Sequence, residues 1–152
     1  MAGRKTKKTT EKKPKKTKKE TISFVVRGKR KESIARATIK KGKGIVRVNS
    51  INVEALNNNY IRELIKEPLG YVGPEANNVD ISVKVNGGGV MGQTQAVRTA
   101  IANALVVYFK ELKLREKFIE IDRSLVVEDI RRVESKKYRG PKARARYQKS
   151  YR

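Results

Sequence analysis

The run Val79-Asp80-Ile81-Ser82-Val83-Lys84-Val85 is apolar at every second residue and leads straight into Gly87-Gly88-Gly89. Strict alternation fits a strand with one buried face. From Gln93 to Lys110 the period changes, and Val97, Ala100, Ile101, Ala104, Leu105 and Tyr108 recur at helical spacing. The rest of the chain must pack around this strand, glycine turn and long helix, whose apolar face is unusually small. A matching small face lies upstream: Ser33 to Lys40 reads as a strand with Ala35, Ala37 and Ile39 on one side. Small residues on both surfaces predict that helix and sheet approach closely.

The remaining elements follow from the same periods. Ile22, Phe24 and Val26 alternate with Ser23 and Val25 in a first strand, and Arg27-Gly28-Lys29-Arg30-Lys31 follows as a basic loop. Lys41-Gly42-Lys43-Gly44 is a turn signal before Ile45–Asn49, so residues 33–49 predict a hairpin. Tyr60, Ile61, Leu64 and Ile65 make Asn57–Glu67 helical, with Pro68-Leu69-Gly70 ending it and Tyr71–Asn78 forming a loop. Leu114, Phe118 and Ile121 predict a short helix, and Leu125-Val126-Val127 a strand or a packed loop.

Charge divides the chain differently. Of the formal +23, residues 1–20 carry +8 and residues 136–152 another +8, leaving +7 for the longer middle. This predicts a lysine-rich N-terminal extension at 1–20, a folded domain at 21–135 and a basic C-terminal tail at 136–152. A chain so charged at both ends favours a polyanionic partner. Neither arm has the apolar face of a membrane-surface helix, no run approaches the ~20 apolar residues of a membrane span, and no signal-peptide core is present. The expected location is cytoplasmic. The tail holds eight Lys or Arg, no Asp or Glu, and the three tyrosines Tyr138, Tyr147 and Tyr151. Alone it is expected to be extended, able to follow phosphates and stack on bases.

The chain has neither Cys nor His, which excludes disulfides, thiolate nucleophiles, Cys/His zinc sites and imidazole acid–base catalysis. Neither a catalytic residue nor a metal or cofactor site is expected. Gly87-Gly88-Gly89-Val90-Met91-Gly92 does fit GxGxxG between a strand and a helix, the setting of a dinucleotide fingerprint. That motif needs a second parallel strand closing on an acidic residue about twenty positions on, where this helix is still running. A P-loop needs Gly-Lys-Ser/Thr, which is absent. Two readings stay open: a turn requiring positive φ, and amide groups at a helix start that hold an RNA phosphate, with Gln93 beside them.

Gly87-Gly88-Gly89, Gly92-Gln93, Ala96, Ala100, Ala102 and Ala104-Leu105 resemble the signature of the universal ninth protein of the small ribosomal subunit. Arg30-Lys31-Glu32-Ser33-Ile34-Ala35 resembles that family's entry to its second strand. Asp129-Ile130-Arg131-Arg132-Val133-Glu134 with Lys136-Lys137-Tyr138, and the closing Arg146-Tyr147-Gln148 and Ser150-Tyr151-Arg152, resemble its C-terminal block and tail. The ending is of archaeal or eukaryotic type. Asn103 and Ser135 stand where the family usually has a basic residue.

The resemblance implies an α/β (α+β) domain whose helices pack on one face of a mixed, mainly antiparallel sheet, as in the second domain of the fifth small-subunit protein. It implies a non-enzymatic component of the subunit head, with small-subunit rRNA, P-site tRNA and neighbouring ribosomal proteins as partners. On this reading the body binds rRNA through Arg27, Lys29, Arg30, Lys31, Gly87, Gly88, Gly89 and Gln93. Along the tail Lys136, Lys137, Arg139, Lys142, Arg144, Arg146, Tyr147 and Lys149 also meet rRNA, while Ser150, Tyr151 and Arg152 approach tRNA. Two rivals stand beside it: a free-standing nucleic-acid packaging protein, and a nucleotide-binding enzyme built on Gly87–Gly92.

Overall fold

Eight register pairs, from Ser23↔Lys40 to Arg30↔Ser33, join β1 (Ser23–Arg30) to β2 (Ser33–Lys41) in the computed structural model, which describes residues 23–150. The basic loop expected at 27–31 is therefore a correction. Strand pairing continues to Arg30, and only Lys31 and Glu32 turn. Apolar alternation fades there, but the backbone ladder to β2 does not depend on it. Ile22, expected to open the first strand, and the N-terminal extension expected at 1–20 lie outside the described residues.

The sheet continues as β3 (Val46–Val48), β4 (Ile51–Asn52) and β5 (Val79–Asn86), in the spatial order β1-β2-β5-β3-β4. The hairpin predicted over 33–49 is overturned, because β5 lies between β2 and β3. It pairs antiparallel with β2 and parallel with β3. The Gly42–Gly44 turn steps over the start of β5 instead of folding one strand onto the next. Gly42 N–H donates to Asn78 O at 2.9 Å, and the Asp80 carboxylate accepts from the Lys43 and Ile45 amides at 2.8 and 3.1 Å. Those amides hold Asp80 below the usual carboxylate range, Lys43's contributing most. Asn49 closes the far end of the slot, its side-chain amide exchanging both hydrogen bonds with the Val85 backbone at 3.1 and 2.9 Å.

Three helices cover one face. α1 (Asn59–Val72) begins at Asn58, whose side chain accepts from the Tyr60 amide at 3.0 Å. It runs through Pro68, against expectation. A proline inside a helix forfeits one backbone hydrogen bond, and burial of Pro68 beside Ile65 offsets the loss. The loop expected at 71–78 is the last turn of α1 followed by a 3-10 helix over Gly73–Asn78. α2 (Val90–Phe109) starts one turn earlier than its apolar periodicity suggests, and α3 (Leu112–Ile121) falls where expected. Leu125, fully buried in a short 3-10 turn, makes residues 125–127 packed loop.

Ala35, Ala37 and Ile39 of β2 and Val79, Ile81 and Val83 of β5 meet α2 in the core. The small faces do meet. Ala96, Ala100 and Ala104 are all solvent-inaccessible, and Gly28 of β1 lies against the α2 backbone. α2 is also packed against α1 and α3, so burial extends round more of the helix than the single face read from its sequence. The observed architecture is α+β, with a mixed, mainly antiparallel sheet and helices on one side.

Candidate nucleic-acid interface

The tip of the β1–β2 hairpin and the glycine turn after β5 converge at one corner. Gly87 and Gly88 have φ of +77° and +64°, the left-handed region that favours glycine. A Cβ on Gly87 would also sit 2.5 Å from the Glu32 carbonyl oxygen, and one on Gly88 would collide with Ser33 Oγ. Ser33 Oγ donates to the Gly87 carbonyl at 2.9 Å, and Gln93 Nε2 donates to the same oxygen at 3.1 Å. These bonds fasten the turn to the hairpin. Arg30, Lys31 and Glu32 thereby share an open cleft with Gly88, Gly89, Met91 and Gln95.

Gly89 precedes α2 without a side-chain cap, and the first intrahelical bond runs from Gln93 N–H to Gly89 O at 2.9 Å. The amides of Val90, Met91 and Gly92 precede that bond and lack an acceptor within the helix. The dinucleotide reading has no support in the topology. α2 is followed by α3, and β5 has β2 and β3 as neighbours, so among the described residues no parallel strand follows the helix. Asn103 serves the body: its amide donates to Val126 O at 3.1 Å.

Two of the three predicted cations of β1, Arg27 and Arg30, have internal partners. Arg27 Nε and a terminal nitrogen donate to both Glu128 carboxylate oxygens at 3.2 Å, and Arg30 pairs with Asp129. Arg30 and Asp129 also form a parallel backbone bridge, so the root of the tail runs along the outer edge of β1. Arg27 stays 65% exposed despite its partner. Lys29 is half-buried and faces a second cleft with Gln95, Arg98 and Asp129; Lys31 is exposed at the tip.

Beyond Asp129 the side chains face solvent, Ile130 and Val133 being 89% and 95% exposed. The tail has no helix or strand among the described residues, but it is not uniformly extended. It turns at Tyr138–Arg139, with the Arg139 guanidinium 5.6 Å from the Tyr138 ring, and Gly140 is enclosed by the carbonyls of Lys142 and Ala145. Glu134 accepts from Arg144 at 2.9 Å and pairs with Lys137 at 3.1 Å; the two cations, Arg144 foremost, hold its carboxyl below the usual range. Lys136, Lys142, Arg146, Tyr147, Lys149 and Ser150 are exposed. Tyr151 and Arg152 lie outside the described residues.

Two features escaped the sequence reading. Arg98 on α2 donates to Glu67 of α1 at 2.8 Å and to Asp122 after α3 at 2.9 Å, joining three helical segments. The other is the face of the sheet that no helix covers among the described residues, where Arg27, Arg36 and Lys84 lie directly opposite one another on β1, β2 and β5. Alternation alone would have pointed Arg36 and Lys84 outward, but only the register brings them into line.

Among the described residues no group of three or more His, Cys, Asp or Glu could hold a metal ion, and no helix is long and apolar enough to cross a membrane. What the corner presents is Lys31, Arg30 and helix-start amides without an acceptor in the helix, a set of donors that suits an anion. Comparison with known proteins narrows this. The family model for ribosomal protein S9/S16 matches residues 28–152. The chain is 51% identical over 126 residues to the small ribosomal subunit protein uS9 of Halobacterium salinarum, covering 82% of this chain and 96% of that protein. It is 48% identical over 129 residues to uS9 of Thermoplasma acidophilum, covering 85% of this chain and all of the relative. To uS9 of Methanothrix thermoacetophila it is 46% identical over 125 residues, covering 82% and 95%. The chain belongs to the ribosomal protein S9/S16 family.

Proposed function

We infer that this chain is a structural, non-enzymatic constituent of the small ribosomal subunit in the cytoplasm. Its body docks on rRNA of the subunit head among neighbouring ribosomal proteins, and its tail runs inward to P-site tRNA. We read its fold as akin to the second domain of the fifth small-subunit protein. The observation that carries this reading is the shared corner of the β1–β2 tip, the glycine turn and the tail root, within a family match that runs through the tail.

In this mechanism the chain supplies charge and direction. Lys31, Arg30 and the first amides of α2 form one phosphate-binding corner. Lys136, Lys137, Arg139, Lys142, Arg144, Arg146 and Lys149 neutralise phosphates along the tail, with Tyr147 stacking or hydrogen-bonding. Glu128 and Asp129 fix where the tail leaves the body. Beyond that point the 17 residues 136–152, at about 3.3 Å each when fully extended, span up to roughly 55 Å, enough to carry Ser150, Tyr151 and Arg152 to a tRNA.

Co-sedimentation tests the reading. The full chain is expected to stay with small subunits at salt concentrations that strip it from generic duplex DNA. Recovery only in free or DNA-bound fractions would instead identify a packaging protein, whose affinity falls with salt alike on every duplex.

A further inference from the structure

The helices occupy one face of the sheet, and the other face is charged in an ordered way. Arg27 lies opposite Arg36, and Arg36 opposite Lys84, so three cations cross three neighbouring strands in one line. Like charges directly opposite one another on a sheet repel and destabilise it. Glu128 relieves Arg27, but among the described residues neither Arg36 nor Lys84 has an ion-pair partner. Asp80, the carboxylate that the strands place on this face, lies opposite Lys40 and is occupied by the Lys43 and Ile45 amides.

The next row adds donors without adding acids. Thr38 is opposite Ser82, and Ser82 is opposite Arg47 of β3. Hydroxyls between cations suit phosphate oxygens, which accept from Ser, Thr, Lys and Arg alike. An interface with an acidic protein would centre on buried apolar anchors, whereas Val25, at the edge, is the one strongly exposed apolar side chain of these strands' outer face. Strands lie about 4.8 Å apart, so the row from Arg27 to Lys84 extends roughly 10 Å, long enough for two or three successive phosphates of one strand.

We propose that the sheet face left open by the described residues is a second RNA-docking surface, on which a phosphate backbone crosses the strands along Arg27, Arg36 and Lys84 with Arg47, Thr38 and Ser82 alongside. This rests on the ribosomal reading, does not involve the glycine corner, and meets the tail only at its root, where Glu128 holds Arg27.

The test compares the full-length chain with Arg36→Gln/Lys84→Gln and with Lys113→Gln/Arg115→Gln, which removes the same charge from exposed positions on α3. Affinity for full-length small-subunit rRNA transcribed in vitro is measured across a salt titration, and thermal melting monitors the fold. For the sheet pair, log affinity against log salt should become shallower by about 1.5, with a roughly ten- to hundredfold loss of affinity at about 0.1 M salt. Its melting temperature should be unchanged or higher, because a repulsion is removed. The α3 pair should lose much less affinity. Equal losses for both pairs, or an unaltered slope for the sheet pair, would overturn the proposal while leaving the ribosomal reading intact. So would a sheet pair that binds rRNA normally but fails to enter subunits, which would mean an acidic protein covers the face. Failure of the unsubstituted chain to bind rRNA would overturn both.

Discussion

Gly28 shows how closely one residue sets the spacing of two elements. A methyl group there would collide with the Ala96 carbonyl oxygen and lie 2.5 Å from the Ala100 amide nitrogen. Both are backbone atoms, so no rotamer can relieve the contact and α2 itself must move. Gly28→Ala is expected to destabilise the domain by about 2–3 kcal/mol in denaturant titration, and adding Ala100→Gly should not restore stability. Full rescue by that second substitution would show that the side chain, and not the helix backbone, limits the approach. Arg98 is the polar counterpart. Burial pushes the Asp122 carboxyl up, but hydrogen bonds from Ser124 and Arg98 outweigh it and hold the group below its usual range. A folded-state value below the unfolded one gives stability that is present above about pH 4 and is lost as pH falls through the folded value. Arg98→Met should therefore cost about 2 kcal/mol at neutral pH, between the limits for surface and buried pairs, and progressively less in acid. A cost independent of pH would mean that packing, and not charge, is what Arg98 supplies.

Among the elements, β5 decides the topology. Its apolar alternation was legible in the sequence, as were the helix that follows it and the glycine turn between them. Its place between β2 and β3 was not, because a turn signal at 41–44 reports a change of direction and is silent on whether the strands it joins pair with each other. Hydrogen bonds to residues more than thirty positions away decide that, Asp80 on Lys43 and Ile45 and Asn49 on Val85 among them. Asp80's depressed titration makes the step acid-sensitive by the same sign: its contribution is complete above about pH 4 and disappears as pH drops through the lowered folded value. Asp80→Asn is expected to weaken the fold by about 1 kcal/mol at pH 7 and to remove that acid dependence. Hydrogen exchange at the Lys43 and Ile45 amides should show it as faster exchange at neutral pH than in the unsubstituted chain. Pro68 misled in the opposite direction. A local rule ends the helix there, and tertiary burial carries it on to Val72.

For the molecule as a whole, the matter is how a domain of moderate charge directs a strongly basic tail. Glu128 and Asp129 hold the tail root against Arg27 and Arg30 at the edge strand, distant in sequence from the glycine corner but adjacent to it in space. Removing Tyr151 and Arg152 should leave the melting transition and subunit incorporation of the chain unchanged while weakening retention of P-site tRNA on filters. Loss of incorporation would make those two residues part of the docking surface. Residue order alone was enough to specify the elements with strong periods, the small facing surfaces of β2 and α2, a glycine turn between β5 and α2, and the concentration of charge at both ends. These are properties of single residues and of local repeats. The folded chain was needed to learn that β5 separates β2 from β3, that Arg27 and Arg30 anchor the tail root, and that Arg36 and Lys84 stand in line. Each of these depends on which distant segment lies opposite, and strand register, not periodicity, fixes that. The strand, glycine turn and long helix at 79–109 thus prove to be the scaffold for two cationic surfaces, one at the turn and one across the open sheet.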